Sequence, residues 1–432
     1  MLVSSVFSIG TKAVQAIASF ATVHKLVKMW GLSGYGLWVT LTAFALYISL
    51  FDMGVGYGVK NRISEAWGRG EPDQAAGVVR VGVAVYFVAA LAALLCGFFV
   101  VMFVTPFKDH KLASGVLWVA CVVSFFLSIH NTVLQGLARF KVLAALGLLA
   151  PCTWFAILQL WPSGTALTLE TGAAIYAAAI VIQAIVIVVV SRRVHDFRIG
   201  AWYRTPLQTA KPLIRTGAGF LILQLAAFAL YGSGSLLVYR SLGGLQTAQY
   251  DAASKVFSIF TIAFSTLISI AWTEISRAKA AHDRKRLANV RRLLHIAALA
   301  FLAAATLACA FSAPLTKALT GIRVPTSATI SFVVFVGVQM LAFTSAVFLN
   351  AYERLREQII TAMISIPLFF AIAFGLLSLG WGMPAIPTAS AAAMLPSLVV
   401  CYLIARGLVK SSGHEQELPL PVNGGDSTRR TP

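Results

Sequence analysis

Residues 60–111 read KNRISEAWGRGEPDQAAGVVRVGVAVYFVAALAALLCGFFVVMFVTPFKDHK, and this stretch contains the pattern that decides the fold. It opens with four basic residues between Lys60 and Arg80, continues with residues 81–104, which carry no charge, and then reaches Lys108 and Lys111. About 20 apolar residues in a helix cross the hydrocarbon core of a bilayer. The stretch therefore predicts a membrane-spanning helix at 76–104 whose more basic flank lies at one end.

The same charge asymmetry recurs along the whole chain. Of the 34 Lys and Arg residues, 25 lie in every second gap between apolar segments or in the C-terminal tail. The alternate gaps hold only Lys25, Lys28, Lys108, Lys111, Arg240, Lys317 and Arg323. Because cytoplasmic loops of multi-pass membrane proteins are enriched in Lys and Arg, both termini are predicted to lie in the cytoplasm. The net charge of +19 is accordingly assigned to loops that face anionic membrane lipids, not to nucleic-acid binding.

Composition agrees with an all-α membrane protein, since 59% of the residues are hydrophobic and only 11% are charged. We expect about twelve spans, near residues 2–23, 33–59, 76–104, 112–137, 141–161, 172–190, 212–240, 247–274, 290–312, 327–350, 357–380 and 386–406. The five cysteines lie in apolar runs without Cys-x-x-Cys spacing. They predict neither a disulfide framework nor a metal site.

Similar residues at constant offsets indicate an internal repeat. Ile63–Ala66 (ISEA) ends the second predicted span, and Ile275–Ala278 (ISRA) ends the eighth. A second constant offset relates Tyr35 to Tyr250, Gln135 to Asn350, Arg139 to Arg354 and Lys141 to Arg356. Matched positions in two halves predict two pseudo-symmetric lobes of six helices around a central cavity. The predicted parts are an N-lobe (1–190), a cytoplasmic linker (191–211), a C-lobe (212–410) and a disordered cytoplasmic tail (411–432).

Polar stripes predict which helix faces line that cavity. Span one carries Ser5, Ser8, Lys12, Gln15, Ser19 and Thr22 at helical spacing; span eight carries Asp251, Lys255, Ser258, Ser265 and Ser269; span seven carries Gln224, Tyr231 and Ser235. Small polar residues also serve ordinary helix packing. Lys12 and Lys255, however, lie near the membrane midplane, where an unpaired charge is costly unless it faces protein or water. The predicted substrate-binding residues are Lys12, Gln15, Gln224, Lys255 and Ser258. For Lys255, a pair with Asp251 at i−4 is the structural alternative.

A second group of residues suits gating or ion coupling. Asp52 and Glu274 lie near the cytoplasmic ends of spans two and eight, where each is either an interfacial salt-bridge partner or a coupling carboxylate. Asp251 belongs to the same group. Gly54 and Gly58 permit close helix approach or bending, and close approach is favoured. No Walker A sequence occurs in the chain, so transport is expected to use an ion gradient such as H⁺ or Na⁺, the membrane potential or consumption of the product.

Four short segments carry a family resemblance. Gly34–Trp38 (GYGLW), Phe51–Gly56 (FDMGVG) and Lys60–Ile63 (KNRI) resemble the second-helix signature of O-antigen and polysaccharide flippases of the Wzx type, and Leu134–Phe140 resembles the end of their fourth helix. These flippases belong to the multidrug/oligosaccharidyl-lipid/polysaccharide (MOP) superfamily, which includes the MATE-like transporters. The resemblance implies alternating-access transfer of a polyprenyl-diphosphate-linked oligosaccharide to the periplasmic leaflet of a bacterial inner membrane. It also implies that a polysaccharide polymerase and a chain-length regulator act with the protein.

Two other functions remain open at this stage. An ion-coupled multidrug exporter of the same superfamily is the second choice, because such exporters commonly carry a carboxylate in the first helix whereas this chain has Lys12 there. A membrane polysaccharide polymerase or ligase is the third choice. Such an enzyme needs catalytic residues on substantial outer loops, but the outer gaps are short and offer only Asp109, His110 and Glu170. A transporter without enzymatic activity is therefore expected.

Overall fold

The computed structural model describes residues 2–194 and 221–411, except residues 53, 163, 281, 282 and 353. These residues form helices and connecting loops, and no strand occurs among them. Most of the predicted linker 191–211 and nearly all of the tail 411–432 lie outside the described residues. The boundaries of those two parts therefore stay predictions.

The N-terminal half contains nine α-helices. They are α1 (Leu2–Thr42), α2 (Phe44–Ser49), α3 (Val55–Gly68), α4 (Pro72–Phe103), α5 (Lys111–Leu127), α6 (Ile129–Gly136), α7 (Phe140–Leu146), α8 (Leu149–Leu160) and α9 (Leu169–Val194). Helix α1 bends sharply at Gly31, whose φ of 69° and ψ of 178° are not helical. One continuous element thus covers the first predicted span and the start of the second.

The described C-terminal half contains eight helices. They are α10 (Leu221–Gly232), α11 (Gly234–Leu242), α12 (Gly244–Ala280), α13 (Arg284–Ala310), α14 (Ser312–Thr320), α15 (Thr326–Ala351), α16 (Leu355–Ser378) and α17 (Ala385–Ser411). Helix α10 ends in a π-helical turn, Phe228–Gly232, and the axis bends by 44° before α11. π-Helical turns and bends of this kind occur frequently at functional sites.

Nine helical segments in the described ranges are long and apolar enough to cross a membrane, and α10 with α11 makes a tenth if the bent pair counts as one span. These segments match predicted spans three to twelve, so the exact number of twelve is not confirmed. The two predicted spans without a matching segment are the first and the second. The first carries Lys12 and several polar side chains, and the second is divided at Ala43 and again at Gly54, where the backbone is left-handed.

Backbone hydrogen bonds at helix ends show that the two halves are built alike. The amide of Glu71 donates to the carbonyl of Ala66 before α4, and the amide of Asp283 donates to Ala278 before α13, both at 2.9 Å. Likewise, the amides of Arg139 and Arg354 donate to Leu134 and Leu349, both at 2.8 Å. Each pair keeps the offset read from the sequence. The repeated pattern therefore fixes equivalent helix ends in the two lobes.

Each lobe has its own buried helices, and α1 packs against both lobes. In the N-lobe, α5 packs on α4 and α9, and in the C-lobe, α15 packs on α12, α13 and α17. Between the lobes, α1 packs on α11, α12 and α14, and α2 meets the π-helical turn of α10. A cavity lies between the lobes beside α1. The predicted class, an all-α membrane protein with two lobes around a central cavity, is confirmed.

Candidate functional site

The central cavity has a volume of about 600 Å³ and is lined by residues of both lobes. Helix α1 supplies Gln15, Ser19, Thr22, Tyr35 and Trp38, and helices α8 and α9 complete the N-lobe wall. The C-lobe contributes residues from the α10–α11 bend and the first turns of α12. Small-molecule sites in proteins have volumes of roughly 300–1,000 Å³. The cavity is thus large enough for a ligand of that class.

One face of α1 forms a polar strip along the cavity. Gln15, Ser19 and Thr22 recur at intervals of four and three residues, which places them on one side of the helix. The amide nitrogen of Gln15 donates a 2.9 Å hydrogen bond to the carbonyl of Gly147. This bond orients the Gln15 amide toward the bend between α7 and α8. The strip therefore presents hydroxyl and amide groups at fixed positions.

An aromatic cluster forms the N-lobe wall at the end of the cavity away from Gln15. The Trp38 ring stacks on Trp154 with centroids 5.4 Å apart, and Tyr176 meets both rings edge to face. Trp30 contacts Trp38 at 5.3 Å from outside the cavity. Aromatic pairs at such distances hold one another in place. The wall is thus a rigid apolar surface beside the polar strip.

The lobes are joined at the cavity by three side chains. The hydroxyl of Tyr35 on α1 donates to the carboxylate of Asp251 on α12, and the ammonium group of Lys255 bonds to the same carboxylate. Lys255 also donates to the Tyr35 oxygen at 3.1 Å. Tyr35 is only 2% exposed. A buried hydrogen bond to a charged group is stronger than one between neutral groups, so this group ties the N-lobe to the C-lobe.

The backbones of the two lobes also meet near that group. A Cβ atom on Gly36 would overlap the carbonyl oxygen of Gly244, and a Cβ on Gly244 would lie 2.5 Å from the carbonyl oxygen of Ser33. Only glycine at both positions allows the helices to approach so closely. We call the end of the cavity formed by α1 after Gly31 and the start of α12 the closed end. Toward the opposite end, Lys12 on α1 and Trp272 on α12 are exposed.

Three of the predicted site residues lie together, and others do not. Gln15, Asp251 and Lys255 line the central cavity. Lys12 is exposed and lies outside the lining, three residues before Gln15 on the same helix face. Ser258 donates to the carbonyl of Lys255 at 2.9 Å and also lies outside the lining. The buried amide oxygen of Gln224 has no hydrogen-bond partner among the described residues. Substrate binding by any of these residues stays a prediction.

The remaining gating and coupling candidates lie away from the central cavity. Asp52 accepts hydrogen bonds from the hydroxyl of Tyr86 and, at 3.0 Å, from the amide of Gly56. Glu274 forms an ion pair of 2.5 Å with Arg286. Gly54 has a φ of 71° and interrupts the helix before α3, as the bending alternative expects, and close helix approach at Gly54 and Gly58 stays a prediction. Gly58 is buried in α3.

The charges in the central cavity balance. Among the described residues that line the cavity, Asp251 is the acidic residue and Lys255 is the basic one. Their side chains form an ion pair with each other. The sequence predicts a cationic cavity, because Lys12 and Lys255 were both expected there. The lining instead combines one neutralised ion pair with hydroxyl, amide and aromatic groups. The helical spacing of Asp251 and Lys255 already contains this pair as the alternative.

Sequence reasoning placed Tyr231 on a cavity-lining face, where the structure has it, but missed the other aromatic residues of the cavity. Trp154 and Tyr176 belong to runs in which aromatic side chains are ordinary core residues, and Trp38 entered only as the last residue of the Gly34–Trp38 segment. Tyr35 was noted as the repeat partner of Tyr250 and as part of the Gly34–Trp38 segment that carries the resemblance, but not as a cavity residue. A usable signal did exist, because Tyr35, Trp38 and Thr42 continue a three-and-four spacing after the bend at Gly31.

Solved membrane transporters share this fold. The inward-facing conformation of a multidrug resistance MATE family transporter of the MOP superfamily is 13% identical, with a TM-score of 0.71 over 95% of this chain and 99% of that chain. An outward-facing conformation of such a transporter is 14% identical, with a TM-score of 0.65 over 94% and 95% of the two chains. A MOP superfamily transporter from Pyrococcus furiosus Vc1, whose pocket of reverse polarity is said to suggest a different function, is 12% identical, with a TM-score of 0.63 over 95% of each chain.

No protein-family model matches the chain, and no curated protein sequence matches it. At identities this low, similarity in structure establishes the fold. The chain is a multi-pass membrane protein with the fold of the MATE transporters of the MOP superfamily.

Proposed function

We propose that the protein is an alternating-access transporter that moves a polyprenyl-diphosphate-linked oligosaccharide from the cytoplasmic to the periplasmic leaflet. One observation carries this proposal: Asp251 is bonded to Lys255 and Tyr35. Among the described residues that line the central cavity, Asp251 is the acidic one. A cationic drug would find no free counter-charge there. A neutral, hydroxyl-rich sugar needs hydrogen-bonding groups and flat apolar surfaces, which the cavity offers.

The two kinds of cavity wall suit the two faces of a sugar ring. Gln15, Ser19 and Thr22 present groups that exchange hydrogen bonds with sugar hydroxyls. Trp38 and Trp154 present an aromatic surface against which the C–H face of a sugar packs. Both walls line the same cavity, so an oligosaccharide that fills the cavity contacts both of them. This arrangement supports an oligosaccharide as the cargo of the cavity.

The diphosphate of the same lipid has a separate candidate partner. Lys12 is exposed and lies about one helical turn, roughly 5 Å, from Gln15, away from the closed end of the cavity. A lysine there meets a phosphate at the mouth of the cavity while the sugar occupies the interior. An ammonium group in a medium of reduced dielectric attracts phosphate oxygens more strongly than it does in water. Lys12 therefore serves as the headgroup contact in this proposal.

Export of organic cations is the second candidate, and the aromatic wall favours it. Cations bind over the faces of Trp and Tyr rings, and solved transporters described as multidrug resistance proteins share the fold. The ion pair of Asp251 opposes this candidate. The two functions therefore differ in whether a free carboxylate is needed inside the cavity.

A single substitution separates the two candidates. In vesicles containing the purified protein, wild type should carry a fluorescent polyprenyl-diphosphate oligosaccharide across the membrane, as measured by its exposure to an added glycosidase. It should not carry ethidium. Lys255→Met frees the carboxylate of Asp251, so ethidium transport should appear and oligosaccharide transport should fall. Lys285→Met, which changes an exposed lysine of α13 outside the cavity, is the control. Ethidium transport by wild type without oligosaccharide transport would refute the proposal.

A further inference from the structure

A second cavity, which we call the lateral groove, lies on the opposite face of α1. Its volume is about 860 Å³, and its lining includes Ile17, Phe20, His24, Lys25 and Lys28 of α1 together with residues of the α8–α9 loop and of α14. The residues of α1 that line the central cavity lie between these positions in sequence and face the other way. Helix α1 is therefore the wall between the central cavity and the lateral groove.

The lateral groove is basic. His24, Lys25 and Lys28 line it, and its described lining includes no acidic residue. In the described part of the chain, neither lysine forms an ion pair or hydrogen bond with another group. Lys25 and Lys28 also belong to the seven basic residues that depart from the alternating charge pattern. The positive-inside bias disfavours basic residues in such gaps, so topology does not account for them.

The lower part of the lateral groove is apolar and open to lipid. Ile17, the lining residue of α1 farthest from the lysines, is 68% exposed, and Phe20 lines the groove about one turn further along. Leu160, next to the lining residue Trp161 at the end of α8, is 83% exposed. From Ile17 to Lys28, α1 rises roughly 16 Å, from an apolar surface to a basic one. This order matches a lipid lying in one leaflet, with its chain toward the membrane centre and its anionic headgroup at the interface.

We propose that the lateral groove binds the diphosphate group of a polyprenyl lipid in the outer leaflet, as the site through which the cargo leaves. This inference rests on the proposed function. Two lysines and a histidine fit the several charges of a diphosphate. Since α1 lies between the groove and the central cavity, a lipid that leaves the cavity past α1 arrives at these basic residues. Lys25 and Lys28 then hold its phosphates while the chain lies against Ile17.

Photo-crosslinking tests the site directly. The full-length protein carries p-benzoylphenylalanine in place of Leu160, a lipid-exposed position, and is reconstituted in phosphatidylcholine vesicles with a tagged polyprenyl diphosphate as the probe. We expect crosslinking that unlabelled polyprenyl diphosphate competes away. The double variant Lys25→Gln/Lys28→Gln should bind the probe about 30-fold more weakly, because each basic residue near a membrane surface contributes roughly 1 kcal/mol toward an anionic lipid and about 1.4 kcal/mol is a factor of ten in an equilibrium constant.

The matched control is Lys108→Gln/Lys111→Gln. It removes two exposed lysines from another loop that is predicted to lie on the same side of the membrane as Lys25 and Lys28. Neither lysine lines the lateral groove, so this variant should crosslink as wild type does. Crosslinking that is as strong in Lys25→Gln/Lys28→Gln as in wild type would overturn the proposal. Equal competition by phosphatidylglycerol would also overturn it, by showing that the groove holds ordinary anionic phospholipid.

A transport measurement on the same vesicles separates this inference from the proposed function. If wild type moves the lipid-linked oligosaccharide but no probe crosslinks at position 160, the exit site is wrong and the flippase assignment stands. If the probe crosslinks and competes as expected while wild type moves no oligosaccharide, the flippase assignment fails and the lateral groove stands as a polyprenyl-diphosphate site.

Discussion

Removing the hydroxyl of Tyr35 tests whether the closed end of the central cavity is held by the bond between the lobes. Tyr35→Phe keeps the buried ring and deletes the donor to Asp251 and the acceptor of Lys255. The carboxylate keeps its ion pair with Lys255 on the same helix. The substitution therefore acts on the link between lobes and leaves each lobe intact.

The size of the effect follows from the type of bond. A hydrogen bond to a charged group contributes roughly 1.5–3 kcal/mol. Because Lys255 still neutralises Asp251 in the variant, we take the lower end, about 1.5 kcal/mol. Since about 1.4 kcal/mol is a factor of ten in an equilibrium constant, the ratio of closed to open molecules should fall about tenfold.

Distances between spin labels measure this ratio. Ala166→Cys in the α8–α9 loop and Ser327→Cys at the start of α15 are exposed positions on different lobes. Tyr35→Phe should move population from the short distance to a longer one. Tyr47→Phe is the control, because the buried Tyr47 hydroxyl has no hydrogen-bond partner among the described residues. The same distance distribution in Tyr35→Phe and Tyr47→Phe would refute the role of Tyr35 in closure.

Four other experiments test the closed end, the contact at Lys12, the substrate class and the orientation in the membrane. Gly36→Ala should prevent closure, because its Cβ would overlap the carbonyl of Gly244, whereas Gly115→Ala, with nothing within 4 Å of an added Cβ, should close normally in the same label measurement. At matched protein levels, Lys12→Arg should retain part of the oligosaccharide transport, Lys12→Gln should lose most of it and Lys12→Glu should abolish it. Equal transport by Lys12→Gln and wild type would exclude a headgroup contact. Deletion of the gene should leave lipid-linked repeat units on the cytoplasmic leaflet with little change in drug susceptibility, and a normal distribution in a strain without other flippases would reject the assignment. Reporter tags after Arg69 and Asp283 should lie in the cytoplasm and a tag at Gly321 outside, and the opposite result would reverse the orientation.

Much of the fold follows from local properties of the sequence. The charge-free stretch 81–104 predicts a membrane helix because length and polarity alone decide whether a segment crosses a bilayer. The offset that relates Ile63–Ala66 to Ile275–Ala278 predicts equivalent helix ends, and the same backbone hydrogen bond occurs at both. Such bonds join residues five apart, so a short segment contains the information that forms them.

The first two predicted spans show where local reasoning is weaker. Polar and glycine residues lower their hydrophobicity, and the chain there is one helix bent at Gly31 followed by short helices interrupted at Gly54. The polar residues Gln15, Ser19 and Thr22 of the first span line the central cavity, so that face of the helix does not contact lipid. A membrane segment that serves a cavity therefore departs from the pattern that identifies the other spans.

The sequence by itself determined the helical class and the equivalent helix ends of the two halves, and it offered the pairing of Asp251 with Lys255 as the alternative to substrate binding, because each depends on residues close in the chain or on a constant offset. Only the tertiary structure decided that Tyr35 completes that ion pair, that Trp38 stacks on Trp154, and that α1 separates the central cavity from the lateral groove. These contacts join residues far apart in sequence, and helical periodicity gives the face on which a residue lies but not which distant helix packs against that face.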